Sequence, residues 1–119
     1  MLRCGIDSIE ISRVEKGIER LGERFLNRFF TPGERDDCND QPHRLAARLA
    51  GKEAVAKALG TGIGVVGWRE IEIRCDERGR PTLHLHGAAA QVSASLGLTQ
   101  WDISLTHNRT IASAVAVAM

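Results

Sequence analysis

The sequence has no tyrosine, three phenylalanines and two tryptophans, so aromatic residues make up only 4% of its 119 residues. We therefore expect a hydrophobic core that is built mainly from aliphatic side chains. No apolar run approaches the roughly 18 residues that a membrane span requires, and Met1–Gly5 lacks the apolar segment of a signal peptide. These absences predict a cytoplasmic protein that has no membrane partner.

An excess of charge of one sign is also missing, and so are paired cysteines. The chain has 16 Lys and Arg against 15 Asp and Glu, a net charge of +1, which argues against a protein that coats nucleic acid. The three cysteines, Cys4, Cys38 and Cys75, are odd in number and widely spaced, so neither a disulfide framework nor a zinc site is indicated. With 43% hydrophobic and 26% charged residues, residues 1–119 are expected to form one globular domain.

The first part of the chain predicts a strand and then a helix. Leu2–Ile6 is an apolar stretch that fits a strand ending at Asp7. Ser12 is followed three residues later by Glu15, which is the capping-box pattern at the start of a helix, and apolar residues then recur at helical spacing. Gly22 interrupts that pattern, so we expect a break in the helix there.

Three further segments complete the first half of the chain. Phe25–Phe30 carries a second apolar helical face, and Thr31–Glu34 has the residues of a capped helix start. Asp36–Pro42 is polar and is expected to be a loop. Arg44–Leu59, rich in Ala, Leu, Lys and Glu, is the clearest helix, with Gly60 placed to cap its C-terminus.

The second half of the chain is expected to be richer in strands. The predicted elements are an irregular glycine-rich segment at Gly60–Gly67, a hairpin of strands Glu70–Cys75 and Thr82–His86, a helix at Gly87–Leu96, and strands Gln100–Thr106 and Thr110–Ala118. Because the last strand is apolar on both faces, it should be central or interfacial. Helices that come first and strands that come later predict an α+β fold.

The long predicted helix carries the strongest candidate site. Glu53 and Lys57 lie four residues apart and share a helix face, which in the ordinary interpretation is a solvated surface ion pair. The small residues around them, Ala50, Gly51, Ala54, Ala56 and Ala58, leave room for a ligand to approach. The Gly60-Thr61-Gly62 turn offers free backbone N–H groups of the kind that bind phosphate. A carboxylate for a divalent cation and a lysine for phosphate would serve phosphoryl chemistry.

Two strand ends also carry candidate residues. Asp7 follows an apolar strand, where a turn or cap role is more common than a role as a metal ligand. His107 follows Ser104 near the end of a strand, where it would be structural or would bind an anion. The G-x-S-x-G pattern is absent, so a nucleophilic serine is not expected.

Basic residues recur through the first helical region. Arg13, Arg20 and Arg24 advance by seven and four positions, which on a continuous helix places all three near one face. A solvated, salt-bridged surface is the ordinary interpretation. The alternative is a docking face, because an acidic partner helix would relieve the repulsion within the stripe.

Taken together, three segments resemble the bacterial holo-acyl-carrier-protein synthases, the small 4′-phosphopantetheinyl transferases. The matching patterns are Gly5-Ile6-Asp7-x-x-Glu10-x-x-Arg13, Arg48-x-x-x-Lys52-Glu53-Ala54-x-x-Lys57-Ala58-x-Gly60-Thr61-Gly62 and Ser104-x-x-His107. Their order and spacing match over essentially the whole chain. The resemblance implies an antiparallel sheet packed with a long helix and shorter helices. It also implies transfer of phosphopantetheine from coenzyme A to a serine of an apo acyl carrier protein, which releases adenosine 3′,5′-bisphosphate.

The resemblance also implies roles for individual residues. Asp7, Glu53 and Lys57 would be catalytic, with Asp7 and Glu53 holding Mg²⁺ and Lys57 contacting the coenzyme A pyrophosphate. Arg48 and His107 would lie on the side of the coenzyme's 3′-phosphate. The loop Gly60, Thr61 and Gly62 would line the same pocket. Either Glu53 or a metal-bound water would accept the proton of the carrier serine.

The resemblance further implies how the chain assembles and what it docks. Arg13 would meet the acidic helix of the carrier, and the charge pattern adds Arg20 and Arg24 to that surface. Family members of this length are usually homotrimers with active sites between subunits. Two alternatives remain open at this point: a non-catalytic module of the same fold that binds a carrier protein, and an unrelated small α+β protein that binds an anion.

Overall fold

The computed structural model describes all 119 residues. Its elements in chain order are β1 (Arg3–Glu10), α1 (Ile11–Leu21), α2 (Glu23–Phe29), α3 (Pro32–Cys38), α4 (Pro42–Leu59), a 3₁₀ turn (Trp68–Glu70), β2 (Ile71–Cys75), β3 (Pro81–Leu85), α5 (Gly87–Ser95), β4 (Trp101–His107) and β5 (Ile111–Ala118). The predicted α+β class is confirmed. None of the five helices is long and apolar enough to cross a membrane.

Two antiparallel sheets carry the strands. Three strands pair in the order β1-β5-β4, and β2 pairs with β3 in a separate hairpin. The last strand is central, which is one of the two placements that its apolar sequence predicted, since it pairs with β1 on one side and with β4 on the other. Alternate residues of β5 have opposite environments: Ala114 and Ala116 are buried, whereas Val115 and Val117 are exposed.

Helix α4 lies against the buried face of the three-stranded sheet, and small residues let the two backbones approach closely. A Cβ atom added at Gly5 in β1 would overlap the carbonyl oxygen of Ala54 in α4. Gly51 is confined less severely, because a Cβ there would meet the end of the Ile73 side chain of β2. The glycines and alanines that the sequence concentrates in these elements thus serve helix-to-sheet packing first.

Two predictions about the start of the chain are wrong. The strand β1 does not end at Asp7 but continues to Glu10, because it pairs with β5 along its whole length, up to the pair Glu10 and Ile111. The helix α1 begins at Ile11, and Glu10 occupies the cap position without a side-chain hydrogen bond, so Ser12 is not a capping residue. Tertiary pairing decides this boundary in place of the local capping pattern.

The next helices follow the sequence signals more closely. Gly22 separates α1 from α2 with a φ of 54°, as expected of a break at glycine. Thr31 and Glu34 form the predicted reciprocal capping box of α3. The predicted loop Asp36–Pro42 is shorter than expected, because α3 continues to Cys38 and α4 already begins at Pro42.

Candidate active site

The strand β1 and the helix α4 bring together three of the predicted site residues. Lys57 Nζ donates to Asp7 Oδ1 at 3.1 Å and to the backbone carbonyl of Ile6 at 2.9 Å. The Asp7 side chain is only 14% exposed, whereas that of Lys57 is 56% exposed. Asp7 is therefore a fixed, mostly buried carboxylate, and the lysine beside it is open to solvent and to a ligand.

Glu53, one helical turn before Lys57, faces the same carboxylate. Burial and, next to it, the adjacent Asp7 carboxylate raise the pKa of Glu53 from its ordinary 4.5 to about 7, against the opposing effects of Arg13 and Lys57. With both carboxyls ionised, Asp7 Oδ2 is buried without a hydrogen-bond donor. Arg13 and Lys57 balance the two negative charges, but the buried Asp7 Oδ2 keeps no donor, so it remains an open oxygen ligand for a cation.

The loop that follows α4 differs from its prediction. Gly60 is the left-handed cap of the helix, with a φ of 79°. The N–H groups of Gly60, Thr61 and Gly62 all point back to the Ala56 carbonyl, at 3.0, 3.3 and 3.4 Å. The expectation that these N–H groups are free for phosphate is therefore wrong, since a capped helix C-terminus uses them to satisfy its own last carbonyls.

A small cavity opens beside this cluster. It has a volume of about 200 Å³ and is lined by Glu53, Ala56, Lys57, Gly62, Ile63 and Trp68. Its wall is apolar on the side of Ile63 and Trp68 and charged on the side of α4. Such a groove can receive a molecule that has a charged group at one end and an uncharged arm at the other.

A second cluster contains the predicted residues Arg48 and His107. Together with Arg44 they line a cavity of about 480 Å³, the largest near any of the candidate residues. The Arg48 residue is 8% exposed, and its Nη2 donates to the sulfur of Cys75 at 2.7 Å. Arg48 Nε is buried without a hydrogen-bond partner. A buried guanidinium with an unused donor, beside two further basic side chains, suits an anionic ligand.

The structure does not bring the two clusters together within one chain. Arg48 and Glu53 are five residues apart on α4, which turns their side chains about 140° away from each other around the helix axis. The first cluster faces β1, and the second faces β2 and the end of β4. A ligand that needs both clusters would have to reach around the helix or meet them on two different chains.

The predicted docking residues are divided between two helices. Arg13 lies on α1, and its Nη1 is 3.9 Å from Glu53 Oε1, at the edge of the carboxylate cluster. Arg20 is exposed near the end of α1, and Arg24 is exposed on α2, beyond the break at Gly22. The three arginines therefore do not form a stripe on one continuous helix, although all remain accessible to a partner.

Sequence reasoning assigned no role to the buried ion pair of Lys52 and Glu34, both of whose side chains are 0% exposed. Lys52 Nζ donates to Glu34 Oε1 at 2.8 Å, to the Trp68 carbonyl at 2.9 Å and to the Ile71 carbonyl at 2.7 Å. Burial lowers the pKa of Lys52, against the opposing effect of the Glu34 charge. Lys52 thereby fixes both ends of the 3₁₀ turn that carries Trp68 into the first cavity.

Sequence signals for these missed residues are slight. Lys52 sits in a helix whose neighbouring residues are almost all Ala, Leu, Val or Gly, which is the composition of a buried helix and predicts that its charge must be paired inside the protein. The partner Glu34 was recognised only as a capping residue. Cys75 and His43, whose ring lies 5.0 Å from that of His107, had no distinguishing pattern.

The fold is that of a known class of transferase. Residues 3–115 match the family model of the 4′-phosphopantetheinyl transferase superfamily. The chain belongs to this family, as its motifs predicted.

The chain is similar to holo-[acyl-carrier-protein] synthases of several organisms. The chain is 45% identical over 126 residues to a holo-[acyl-carrier-protein] synthase of Herpetosiphon aurantiacus, covering 100% of this chain and 99% of the relative. It is 48% identical to the synthase of Moorella thermoacetica, and the match covers 98% of this chain and 93% of that relative. Among solved structures, the Helicobacter pylori synthase in complex with coenzyme A superposes with a TM-score of 0.89 at 32% sequence identity. The match covers 98% of this chain and 99% of the Helicobacter pylori chain.

Proposed function

We propose that this chain transfers the 4′-phosphopantetheine group of coenzyme A to a serine of an apo acyl carrier protein. The products are holo carrier protein and adenosine 3′,5′-bisphosphate, in the service of fatty acid or polyketide biosynthesis. The observation that supports this most directly is the cluster of Asp7, Glu53 and Lys57 beside a groove, in a chain that belongs to the transferase family. The Helicobacter pylori relative that is similar in fold was solved with coenzyme A bound.

The cluster fits a magnesium ion. Its donor set is two carboxylates, one of which has a buried oxygen without a donor, and no group of three or more His, Cys, Asp or Glu is assembled anywhere in the chain. Mg²⁺ is typically held by one or two carboxylates together with substrate phosphates, so Asp7 and Glu53 would hold it. When bound, the ion would neutralise charge on the phosphoryl oxygens during transfer.

Other side chains of this chain would bind the phosphate and orient the substrate. Lys57 has a flexible, half-exposed ammonium group already placed at the carboxylate cluster, so it can bind a phosphate oxygen without leaving the site. Ile63 and Trp68 would orient the uncharged arm of the substrate in the groove and exclude water from one side of it. The transfer requires no covalent intermediate with the protein, which agrees with the exposed, unactivated position of Ser104.

The cluster of Arg48 and His107 is proposed to hold the 3′-phosphate of coenzyme A. Because it faces away from Asp7 and Glu53, one molecule of coenzyme A would use the first cluster of one chain and the second cluster of a neighbouring chain. The exposed face of the β1 and β5 strands supports such an assembly, since it presents Ile6 at 66% exposure together with Val115 and Val117. We therefore propose a homotrimer with shared active sites.

The carrier protein is proposed to dock on α1 and α2. Arg13 lies at the edge of the carboxylate cluster, and Arg20 and Arg24 are exposed farther along the chain. An acidic helix that contacts these guanidinium groups would bring its serine close to the proposed phosphoryl site. We also propose a cytoplasmic location, where coenzyme A and an acyl carrier protein would both be available to the protein.

The test is direct. The protein is incubated with Mg²⁺, coenzyme A and a panel of apo carrier proteins, and the carriers are weighed by mass spectrometry. We expect one carrier or more to gain a single phosphopantetheine group, with no gain when Mg²⁺ is chelated. Binding of both coenzyme A and carrier without any mass gain would instead identify a non-catalytic carrier-binding module.

A further inference from the structure

We infer that Cys75 is a modification site that controls binding at the Arg48 cavity: a small anionic disulfide forms a mixed disulfide with it and blocks the adenosine end of the substrate. This inference rests on the proposed function of that cavity. It concerns a residue that the transfer reaction itself does not use.

Three observations place Cys75 there. Its side chain lines the cavity of about 480 Å³ together with Arg44, Arg48 and His107. Its sulfur accepts a hydrogen bond from Arg48 Nη2 at 2.7 Å. Arg48 itself is 8% exposed and has a buried Nε without a partner, so the guanidinium retains an unused donor for a ligand that enters the cavity. The thiol and the guanidinium are therefore neighbours in one cavity that is open to solvent.

The environments of the three cysteines predict that this one reacts selectively. Cys38 is fully buried, and burial raises the pKa of its thiol to about 11, which makes it a poor nucleophile. Cys4 is exposed on β1 and accepts no hydrogen bond from a cationic side chain. Cys75 is partly exposed and its sulfur contacts the Arg48 guanidinium, a kind of contact that favours the reaction of a thiol, while the Asp37 carboxylate on its backbone side is paired with Arg74.

The chemistry is thiol–disulfide exchange with a low-molecular-weight disulfide such as oxidised glutathione. The Cys75 sulfur attacks one sulfur of the disulfide, its S–S bond breaks, and a new S–S bond joins Cys75 to one glutathione. The second glutathione leaves as a thiolate and takes up the proton that Cys75 loses. Cys75 is oxidised and the small disulfide is reduced, so no other oxidant is required.

The glutathione adduct would block the Arg48 cavity through both its negative charge and its volume. A bound glutathione occupies the cavity, and its carboxylates can pair with Arg44 and Arg48, which would otherwise meet the 3′-phosphate. Coenzyme A cannot serve as the binding probe, since its own thiol would reverse the adduct. Adenosine 3′,5′-bisphosphate carries the relevant phosphates and has no thiol.

The experiment uses the Cys4→Ser protein, in which Cys75 is the one remaining thiol that is not buried, and the Cys4→Ser/Cys75→Ser protein as the matched control. Each is treated with oxidised glutathione, weighed, and titrated with adenosine 3′,5′-bisphosphate by calorimetry. We expect one glutathione on Cys75, a Kd that rises about tenfold or more, and recovery after dithiothreitol. The control should gain no mass and keep the Kd of its untreated form.

Two results would overturn the inference: no adduct at Cys75, or a complete adduct at Cys75 with an unchanged Kd. The proposed function is tested separately, by the mass gain of a carrier protein with reduced, untreated enzyme. If that transfer succeeds and Kd does not respond to the adduct, only the role of Cys75 is wrong. If the untreated protein binds no adenosine 3′,5′-bisphosphate and transfers nothing, the proposed function is wrong and the inference falls with it.

Discussion

Replacing Glu53 with glutamine should make the protein more stable and less active, and the size of the effect can be worked from the structure. Glu53 has a pKa raised from 4.5 to about 7 by burial and by the Asp7 carboxylate. The folded protein therefore binds a proton at Glu53 more tightly than the unfolded chain does. The stability that this proton contributes is fully present below pH 4.5 and is lost as the pH rises through about 7.

The pKa shift of Glu53 sets an upper limit on the gain in the free energy of unfolding. A pKa difference of about 2.5 corresponds to about 3.4 kcal/mol at 1.36 kcal/mol for each pKa unit. Because the Glu53 side chain is 25% exposed, solvent screens part of the repulsion, and we expect about 1–3 kcal/mol. The glutamine carboxamide can also donate a hydrogen bond to Asp7 Oδ2, which otherwise has none.

The assay is urea unfolding at fixed protein concentration between pH 4.5 and 8, with a chelator present. The Glu53→Gln protein should match the native protein at the acid end and exceed it by about 1–3 kcal/mol at pH 8. Added Mg²⁺ should stabilise the native protein more than the variant, because ligands that bind only the folded state raise its stability. Glu15→Gln, an exposed carboxyl on α1, is the control and should change little.

Carrier modification is measured on the same two proteins without urea or chelator, and the Glu53→Gln protein should lose most of its activity over a full Mg²⁺ titration. The reasoning is refuted if the native and variant stability curves are parallel between pH 4.5 and 8. It is refuted independently if the variant turns over at the native rate. Gain of stability with loss of activity is the combination that a purely structural Glu53 would not produce.

Three further predictions concern other parts of the molecule. Lys52→Met should lower the free energy of unfolding by about 3–5 kcal/mol, because it leaves the Glu34 carboxylate buried and unpaired. Substitution of the exposed Lys16 by Met is the control, and equal losses of stability in urea unfolding would contradict a structural role for the buried ion pair. Arg13→Ala, and less strongly Arg24→Ala, should raise KM for the carrier and leave KM for coenzyme A nearly unchanged, and the affinity for the carrier should fall as the salt concentration rises. Steady-state kinetics at two ionic strengths test this. A carrier KM that responds to neither the substitutions nor the salt excludes docking through this surface. Val117→Asp should place a charge on the exposed apolar strand face and dissociate the proposed trimer; sedimentation showing that the native protein is an active monomer would rule out the assembly.

The elements that the sequence predicted well are those whose own residues decide them. The capped start of α3 at Thr31 and Glu34, the helix cap at Gly60 and the central position of β5 all depend on local chemistry or on an apolar pattern. The start of α1 was predicted wrongly because β1 extends over its full pairing with β5, and that pairing involves residues about a hundred positions away. Long-range pairing leaves no trace in a local capping pattern.

The candidate site likewise contains contacts that local spacing predicts and contacts that only the tertiary fold creates. Glu53 and Lys57 share a helix face by spacing alone, but Asp7 joins them only because β1 packs on α4, and spacing cannot predict that contact across 46 or more positions. The resemblance to a family supplied it. The free N–H groups expected at Gly60–Gly62 were inconsistent with the helix cap predicted at the same glycine, since a capped end uses those donors itself.

The helix α4 explains why the two candidate clusters lie apart within one small chain. It is buried on nearly all sides, so its polar residues cannot lie on a single solvent-facing stripe and emerge wherever the packing leaves an opening. One opening beside β1 holds Glu53 and Lys57, and another beside β2 holds Arg48, about 140° around the axis. A substrate with charged groups at both its pyrophosphate and its 3′-phosphate would have to reach around this buried helix to contact both clusters of one chain. The proposed assembly of several chains, with the exposed β5 face between them, would instead let clusters of two chains act on one molecule.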